Sequence, residues 1–308
     1  NKHIYMKNKL LSLAGLLAVF NLNAIEIGPT GSGAELSGFV VMDYVNENTA
    51  GDNEFTLTEV ELNFDWSTGP VAFSLDYNVF GDGRESGLPG SGEVELEEAV
   101  LTYSLNDNLS VSAGRMLTYL GFEAYDAPNM YQISYAYNTN YTYLYDKYAD
   151  GVSVDYATDV FSVGIWADLA ESMSFEYAFA YTGIENLTAK YIYGDYAGSS
   201  ESKQTIWASY TMGSLLVAAE VAKHEANAGI AGDDTKAYLL MGNYGFTDEL
   251  SLTLRFSNTK DEGSSTLETE KFTVSPSYMI TDDLCFLGEY SDIEGEDEFV
   301  GLELIYTF

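Results

Sequence analysis

Few residues of this chain could carry out covalent or metal-centred chemistry. The sequence contains a single cysteine, Cys285, which excludes an internal disulfide framework and a cysteine-based metal site. It lies in a strand-like run, which predicts a buried or lumen-facing thiol rather than a nucleophile. His224 is the only histidine beyond the first 24 residues, and Ser209 and Ser257 have no recognisable catalytic partner. We therefore predict that the protein is not an enzyme and holds no cofactor and no metal.

Carboxylates, in contrast, are abundant enough to attract or repel ions. The chain has 48 Asp and Glu against 13 Lys and Arg, a formal net charge of −35. This excludes nucleic acid as a partner, because a nucleic-acid-binding surface needs clustered Lys and Arg. Such a charge is often found in disordered chains. Here 46% of the residues are hydrophobic, with 25 Tyr and 16 Phe, so we expect a folded protein.

The first 24 residues are typical of an export signal. After Met6, Lys7 and Lys9 form a basic head, and residues 10–20 form an apolar stretch that is too short to span a bilayer. The residues that end at Ala24 resemble a signal-peptidase site. A membrane anchor is the alternative interpretation. No later stretch has the roughly 18 apolar residues that a transmembrane helix needs.

Beyond residue 33, apolar and polar residues alternate. In VELNFDW, Val60, Leu62 and Phe64 share one face while Glu61, Asn63 and Asp65 share the other. A period of two predicts strands with one apolar and one polar face. About sixteen such segments are present, at residues 35–46, 54–67, 70–80, 94–105, 109–117, 142–157, 160–169, 173–182, 187–196, 203–212, 214–224, 235–246, 249–259, 268–280, 284–292 and 298–308.

The connections between these segments alternate in length. Those after even-numbered segments are short, such as STG, NDN, ATD and MGS, whereas those after odd-numbered segments are mostly long and acidic, with LAES as an exception. Such alternation is typical of a barrel with one confined rim and one external rim. The longest connection, residues 117–141, is the third on the long-loop side, and loops of this length are usually functional.

These patterns predict an all-β fold: a transmembrane antiparallel β-barrel of about 16 strands, with long extracellular loops and short periplasmic turns. An open sheet edge is too costly in hydrocarbon, so the last strand must pair with the first. We divide the chain into a removed signal peptide with upstream residues (1–24), a flexible N-terminal lead-in (25–33) and the barrel (34–308). A soluble secreted β protein is the alternative.

The chain ends in GLELIYTF, which raises the question of why so charged a protein stops on an apolar residue. Leu304, Tyr306 and Phe308 share one face of the predicted closing strand, where that face would contact lipid. An aromatic terminus preceded by apolar residues at alternate positions resembles the assembly signal read by the outer-membrane barrel-assembly machinery. The resemblance implies that this machinery is a partner and that the bacterial outer membrane is the destination.

A second resemblance covers the whole mature chain. VELEEAVLTYSL (94–105) and AGRMLTYLGFEAYDAPNM (113–130) resemble the beta-barrel porin-2 group of Gram-negative outer-membrane porins. Val100 departs from the pattern, because an aromatic residue is common there. The resemblance implies a water-filled pore for passive diffusion of small hydrophilic solutes. The matching residues are Glu97, Glu98, Ala99, Leu101, Tyr103, Gly114, Arg115, Gly121, Glu123 and Pro128.

If the apolar face points to lipid, the polar face lines the pore. A lining rich in carboxylates raises the local cation concentration, so we predict a preference for cations. The third long loop is predicted to narrow the pore, with Glu123 and Asp126 facing Arg115 across a constriction. An ordinary rim ion pair between Arg115 and Glu123 is the alternative. The other predicted lumen residues are Glu59, Glu61, Asp65, Glu98 and Arg255.

The sequence leaves three further questions open. The aromatic residues of the third loop could stack against sugars or pack the loop against the wall. A homotrimer is compatible with the sequence, because trimer contacts and lipid contacts are both apolar. A non-conducting structural or adhesive outer-membrane barrel with a plugged lumen is the alternative function. The aromatic residues are Phe122, Tyr125, Tyr131, Tyr135 and Tyr137.

We predict that removal of Phe308 lowers the amount of folded protein in the outer membrane more than it changes the conductance of assembled molecules. The reason is that the terminal aromatic residue serves recognition and closure rather than the pore. Quantitative gels of outer-membrane fractions and single-channel recordings measure the two effects. Equal outer-membrane levels of the truncated and wild-type proteins would contradict the prediction.

Overall fold

A computed structural model describes most of the chain beyond its first 23 residues. The described residues are 24–46, 55–80, 95–119, 121–123, 126–137, 144, 148–169, 173–197, 201–225, 234–261, 268–295 and 298–308. The predicted signal peptide lies almost entirely outside them and stays a prediction. No helix in the described part of the chain is long and apolar enough to cross a bilayer.

The described residues form seventeen strands and one short 3₁₀ helix, Ala127–Asn129. The strands are β1 (Ile25–Glu26), β2 (Ala34–Asn46), β3 (Phe55–Thr68), β4 (Val71–Phe80), β5 (Glu95–Ser104), β6 (Leu109–Leu117), β7 (Tyr148–Ala157), β8 (Phe161–Ala167), β9 (Ser174–Tyr181), β10 (Leu187–Tyr196), β11 (Glu201–Met212), β12 (Leu215–Glu225), β13 (Thr235–Gly245), β14 (Leu250–Asp261), β15 (Glu268–Thr281), β16 (Leu284–Ile293) and β17 (Phe299–Thr307).

The sixteen strands β2–β17 form one closed antiparallel ring. Each pairs with the next along the chain, and β17 pairs back with β2. The predicted all-β antiparallel barrel is thus confirmed. The two-residue strand β1 is additional to this ring: Ile25 is paired with Leu36, and Glu26 with Glu35. A period-two pattern could not reveal it, because two residues are too few to alternate.

Apolar side chains cover the outer face of the ring. On β5, for example, Leu101 and Tyr103 point outward, and on β13 Leu240 is 61% exposed. The inner face carries mostly polar residues in the same strands, such as Thr253 and Ser275, which are buried. An apolar band around a polar interior is the pattern of a barrel that crosses a membrane, where lipid covers the outer face.

Short turns join the strands at one rim. Gly69 and Gly213 adopt φ values of +56° and +58° in two of these turns, a backbone region that glycine enters without steric cost. Asn186 adopts φ 63° in the β9–β10 connection, as asparagine also tolerates this region. The strand ends that the longer connections join lie at the opposite rim, so the predicted alternation has a structural counterpart in the strand order.

Bulges interrupt the register on one side of the barrel. The pairing shifts between Val41 and Met42 on β2, between Val60 and Glu61 on β3, and between Asp76 and Tyr77 on β4. Each bulge inserts an extra residue into one strand and changes which side chains face the interior. A further register shift lies between Met279 and Thr281 on β15. Strict alternation therefore fails on the β2–β5 wall and near the end of β15.

Ring closure depends on a close contact between the two ends of the barrel. The amide of Gly38 donates to the Phe308 carbonyl at 3.0 Å, and the amide of Phe308 donates to the Gly38 carbonyl at 3.0 Å. The Phe308 ring lies 6.2 Å from that of Tyr306. A Cβ on Gly38 would lie 2.3 Å from the Glu61 carbonyl oxygen and 2.8 Å from Phe308 Cζ. Position 38 therefore requires the absence of a side chain.

We predict that Gly38→Ala destabilises the barrel by about 1–3 kcal/mol, the usual cost of overpacking a tight site. Urea unfolding of the purified barrel, followed by the loss of its heat-modifiable gel band, measures the change. Gly288→Ala is the matched control, because its Cβ would meet Leu302 and Pro276 at 3.6 and 3.7 Å, ordinary contact distances. Equal midpoints for the two variants would contradict the prediction.

Candidate functional site: the inner loop and the acidic wall

The described part of the connection between β6 and β7, which we call the inner loop, lies inside the barrel. Its described residues are 118–119, 121–123, 126–137 and 144. Ala127 and Ile133 pack in one cluster with Phe39 and Ile305 of the barrel wall, and Leu144 packs in another. The described part of the inner loop thus leaves its own strands and reaches the far side of the interior; that it narrows a pore stays a prediction.

A buried ion pair connects the inner loop to β14. Arg255 Nη1 lies 2.5 Å from Glu123 Oε1, and both side chains are almost fully buried. Glu123 also accepts hydrogen bonds from Gln132 Nε2 at 2.8 Å and from the Ala136 amide at 2.7 Å. Arg255 donates further to the carbonyls of Ser134 and Tyr135. Because both charges are paired and hydrogen-bonded, this contact fixes the position of the inner loop.

Ser134 forms the centre of a second polar contact. The Glu289 carboxylate of β16 accepts hydrogen bonds from the amides of Ile133 and Ser134 at 2.7 and 2.8 Å. It also accepts one from the Ser134 hydroxyl. Lys271 of β15 donates to Ser134 Oγ at 2.6 Å and to the Tyr135 carbonyl at 2.9 Å. A carboxylate and an ammonium group from neighbouring strands thus hold the same segment of the inner loop.

The aromatic residues of the inner loop pack against the wall. Tyr137 donates its hydroxyl to Glu220 of β12 at 3.0 Å, and the Phe122 ring meets Trp207 edge-on at 5.4 Å. Tyr131 packs beside the cluster around Leu239. Burial raises the pKa of the Tyr131 hydroxyl. Tyr125 lies outside the described residues. These contacts favour wall packing over a sugar-stacking track.

The wall formed by β2–β5 is lined with carboxylates, and we call it the acidic wall. Asp65, Asp76 and Glu98 on it are half-buried. Ser74 donates to Asp65 at 3.2 Å, and Asn63 donates to Asp76 at 2.8 Å. The members of the acidic wall are Asp43, Glu59, Glu61, Asp65, Asp76, Glu97 and Glu98.

The basic residues of the interior lie on other strands. Lys190 of β10 and Lys203 of β11 face Trp207 and Tyr196, with the nitrogens 5.2 and 5.1 Å from the ring centroids. In the ring order, β10 and β11 are eight strands away from β2 and β3, so these lysines lie opposite the acidic wall.

The contacts of Arg115 differ from the predicted ones. Its Nη2 lies 3.2 Å from Glu95 and its Nη1 3.7 Å from Asp150, so it forms an exposed ion pair at the long-loop rim. Glu123 is instead paired with Arg255, and Asp126 lies near Glu61. The predicted contact between Arg115 and Glu123 is therefore wrong. The inner loop places Glu123 deep in the barrel, whereas Arg115 lies on β6.

The other predicted lumen residues face the interior. Glu59, Glu61 and Arg255 are buried there, whereas Asp65 and Glu98 are half-buried. Leu304 is half-buried and Tyr306 is exposed on the outer face, and Phe308 lies at the closing seam. The structure does not test a role of these last three residues in assembly.

Sequence reasoning missed several residues of this interior. Glu97 is buried next to Glu98 because the bulge between β4 and β5 turns both side chains inward. Tyr119 donates its amide to Glu176 at 2.8 Å and its hydroxyl to Asp155 at 2.5 Å. Burial and the nearby Asp155 raise the pKa of Tyr119 well above its usual range. The alanines on the inner faces of β12 and β13 could have indicated that a loop enters the interior, since their small side chains leave room for one.

The closed barrel and its inner loop define the class of the protein: a porin-like outer-membrane β-barrel. The sequence profile of the beta-barrel porin-2 family, OmpL-like, matches residues 42–301. The chain belongs to this family, and the resemblance seen in the sequence is confirmed.

Solved porin structures resemble the fold at low sequence identity. OmpT of Vibrio cholerae, in its in-vitro folded trimer form, is 15% identical with a TM-score of 0.67, over 89% of this chain and 99% of that chain. Salmonella typhi OmpF in complex with daunomycin is 15% identical with a TM-score of 0.67, over 92% and 100%. The anion-selective porin from Comamonas acidovorans is 14% identical with a TM-score of 0.65, over 89% and 99%. No curated protein matches the chain.

We predict that Arg255→Met destabilises the protein by about 3–5 kcal/mol, because it leaves the Glu123 carboxylate buried without its counter-charge. Hydrogen exchange of the Ala136 amide and urea unfolding measure the change. Arg115→Met is the matched control: its exposed ion pairs contribute about 0–1 kcal/mol. Unchanged stability of Arg255→Met would show that the ion pair does not hold the inner loop.

Proposed function

We propose that the protein is a diffusion pore for small hydrophilic solutes that prefers cations, with its water passage along the acidic wall. The observation that carries this proposal is the uneven burial of the lumen-facing polar residues. Asp65, Asp76 and Glu98 on β3–β5 remain half-buried, whereas Glu176, Arg255 and Glu289 are at most 4% exposed. Passive diffusion needs no catalytic group, and we propose no enzymatic activity.

The inner loop accounts for this difference in burial. It contacts Glu176 on β9, Glu220 on β12, Arg255 on β14 and Glu289 on β16, and so covers that side of the interior. The half-buried residues of β3–β5 keep contact with water. Water inside the barrel therefore lies beside Asp65, Asp76 and Glu98, whereas Asp43, Glu59, Glu61 and Glu97 of the same wall are buried.

The charges along this passage favour cations. A carboxylate-lined passage with low-dielectric walls concentrates cations and repels anions. The basic residues are engaged elsewhere: Arg255 and Lys271 hold the inner loop, and Lys190 lies over Trp207. The fold itself does not decide selectivity, since an anion-selective porin has a similar fold.

A second candidate is the non-conducting barrel with a plugged lumen. The dense packing of the inner loop favours it, because Ala127, Gln132 and Ala136 are each at most 2% exposed. In that case the inner loop would act as a plug, and function would reside at the long-loop rim. Conductance of the purified protein distinguishes the two candidates.

We further propose export by the predicted signal peptide, insertion into the bacterial outer membrane by the barrel-assembly machinery, and a homotrimer in the membrane. The apolar outer face supports contact with lipid or with neighbouring copies. The trimer form of one similar structure supports the homotrimer. Chemical cross-linking in outer membranes, read on denaturing gels, tests it, and a strictly monomeric product would contradict it.

We predict stepwise currents in planar bilayers and a cation-selective reversal potential in a KCl gradient. The triple variant with Asp65→Asn, Asp76→Asn and Glu98→Gln should move this potential toward zero, because it removes the lining charge. Asp292→Asn is a single-charge control, since this carboxylate is exposed on the outer face of β16. An anion-selective wild type, or an unchanged potential in the triple variant, would overturn the preference. No current from well-folded protein would favour the plugged barrel.

A further inference from the structure

A cavity beside the inner loop lies at the short-turn rim, and we call it the rim cavity. It has a volume of about 240 Å³ and is bordered by Met130 and Tyr131 of the inner loop and by strands β13–β16. Exposed residues of the β13–β14 turn, Thr247, Asp248 and Glu249, form its mouth, so the cavity opens toward this rim. An apolar cavity of about 150 Å³ holds one benzene molecule. The rim cavity therefore has room for a ligand slightly larger than a benzene ring.

One half of the rim cavity is apolar. Met279 of β15 is paired with Cys285 of β16, and Leu287 of β16 is paired with Ser277, so these side chains lie next to each other on the wall. Met130, which follows the 3₁₀ helix of the inner loop, completes this half. Methionine side chains are flexible and adapt to the shape of an apolar ligand. This half of the cavity therefore suits the hydrocarbon part of a ligand.

The other half of the rim cavity is polar and offers a hydrogen-bond acceptor. Asn243 Nδ2 donates to Thr253 Oγ1 at 2.8 Å and to Ser251 Oγ at 3.4 Å. The hydroxyls of Ser251 and Ser277 lie 2.6 Å apart. An amide nitrogen has two hydrogens, so the two bonds of Asn243 use both, whereas its carbonyl oxygen Oδ1 takes part in neither. Because Asn243 is half-buried and lines the cavity, Oδ1 can accept a hydrogen bond from a ligand.

Two carboxylates lie at the mouth of the rim cavity. Asp248 and Glu249 are both exposed, and Glu249 accepts a hydrogen bond from the Thr247 hydroxyl at 2.8 Å. The described residues that line the cavity include no lysine, arginine or histidine. Carboxylates at the mouth of a cavity attract a cation and repel an anion. The charge of the mouth and the carbonyl of Asn243 therefore both favour a ligand with a cationic head that donates hydrogen bonds.

We propose that the rim cavity binds a small amphipathic amine. The hydrocarbon part of the amine lies against Met279 and Leu287. Its ammonium group donates to Asn243 Oδ1 and faces the carboxylates of Asp248 and Glu249. An apolar lining with a few placed polar groups is the usual composition of a small-molecule site. The proposal goes beyond the diffusion function and does not depend on it, because a plugged barrel has the same cavity.

Equilibrium dialysis of radiolabelled 2-phenylethylammonium against the full-length folded barrel in detergent tests the proposal. We expect a single saturable site with a dissociation constant of roughly 10⁻³ M, as for other ligands of this size. The anion 3-phenylpropionate, which joins the same ring to a carboxylate, should bind at least about tenfold more weakly. Ser277→Phe should abolish binding of the amine, because the added ring fills the cavity from β15.

A pair of double variants tests the role of the mouth. Asp248→Asn with Glu249→Gln should weaken binding of the amine about three- to tenfold, because both carboxylates that face its ammonium group are neutralised. Asp107→Asn with Asp282→Asn is the matched control, since it removes two exposed carboxylates from other short turns that do not line the cavity. Circular dichroism and heat-modifiable gel migration establish that each variant is folded.

Equal binding of the amine by the wild type and Ser277→Phe would overturn the proposal, since the amine would then have partitioned into detergent. Equal binding of 3-phenylpropionate, or an equal loss in the two double variants, would also overturn it, because the cavity would not select a cationic head. If Ser277→Phe fails to fold, the comparison of the two ligands and the double variants still decide. Binding needs no current, so failure here is distinguishable from failure of the cation preference, which the reversal potential measures.

Discussion

The pairing of every backbone amide inside hydrocarbon is the constraint on which the structure depends. An unpaired group there costs several kcal/mol, so the sheet must close, and closure brings β17 against β2. The contact of Gly38 with Phe308 lies at this seam. Once the ring is closed, the apolar side chains of the wall contact lipid and the remaining side chains face the interior. Phe308 is thus a part of the barrel wall at this seam.

Closure creates an interior that is too wide for its own wall to fill, and the inner loop occupies much of it. The loop is held by charged groups rather than by an apolar core alone: Glu123 meets Arg255, and Ser134 meets Glu289 and Lys271. Because these contacts lie on β14–β16, they leave the half-buried carboxylates of the acidic wall, Asp65, Asp76 and Glu98, beside the remaining water. The same interactions that fix the loop therefore determine which charges a solute would meet.

The strands were predictable because one face of the wall contacts lipid and the other faces the interior, which imposes a period of two. Leu101 on the outer face and Thr253 on the inner face follow this period. Three features were not predictable. The bulge that turns Glu97 inward breaks the period, the two residues of β1 are too few to show one, and the pairing of Glu123 with Arg255 joins positions 132 residues apart. Long-range contacts of a loop leave no local pattern in the sequence.

The central claim is that water passes along β3–β5 and not along the strands that the inner loop covers. Single channels that carry Ser74→Cys or Ser291→Cys, treated with a cationic methanethiosulfonate reagent, test it directly. Ser74 is half-buried on the acidic wall, whereas Ser291 is fully buried beside Glu289. The account predicts a stepwise loss of current for Ser74→Cys and none for Ser291→Cys or the wild type, whose Cys285 is buried. A loss of current for Ser291→Cys, with Ser74→Cys unaffected, would contradict it.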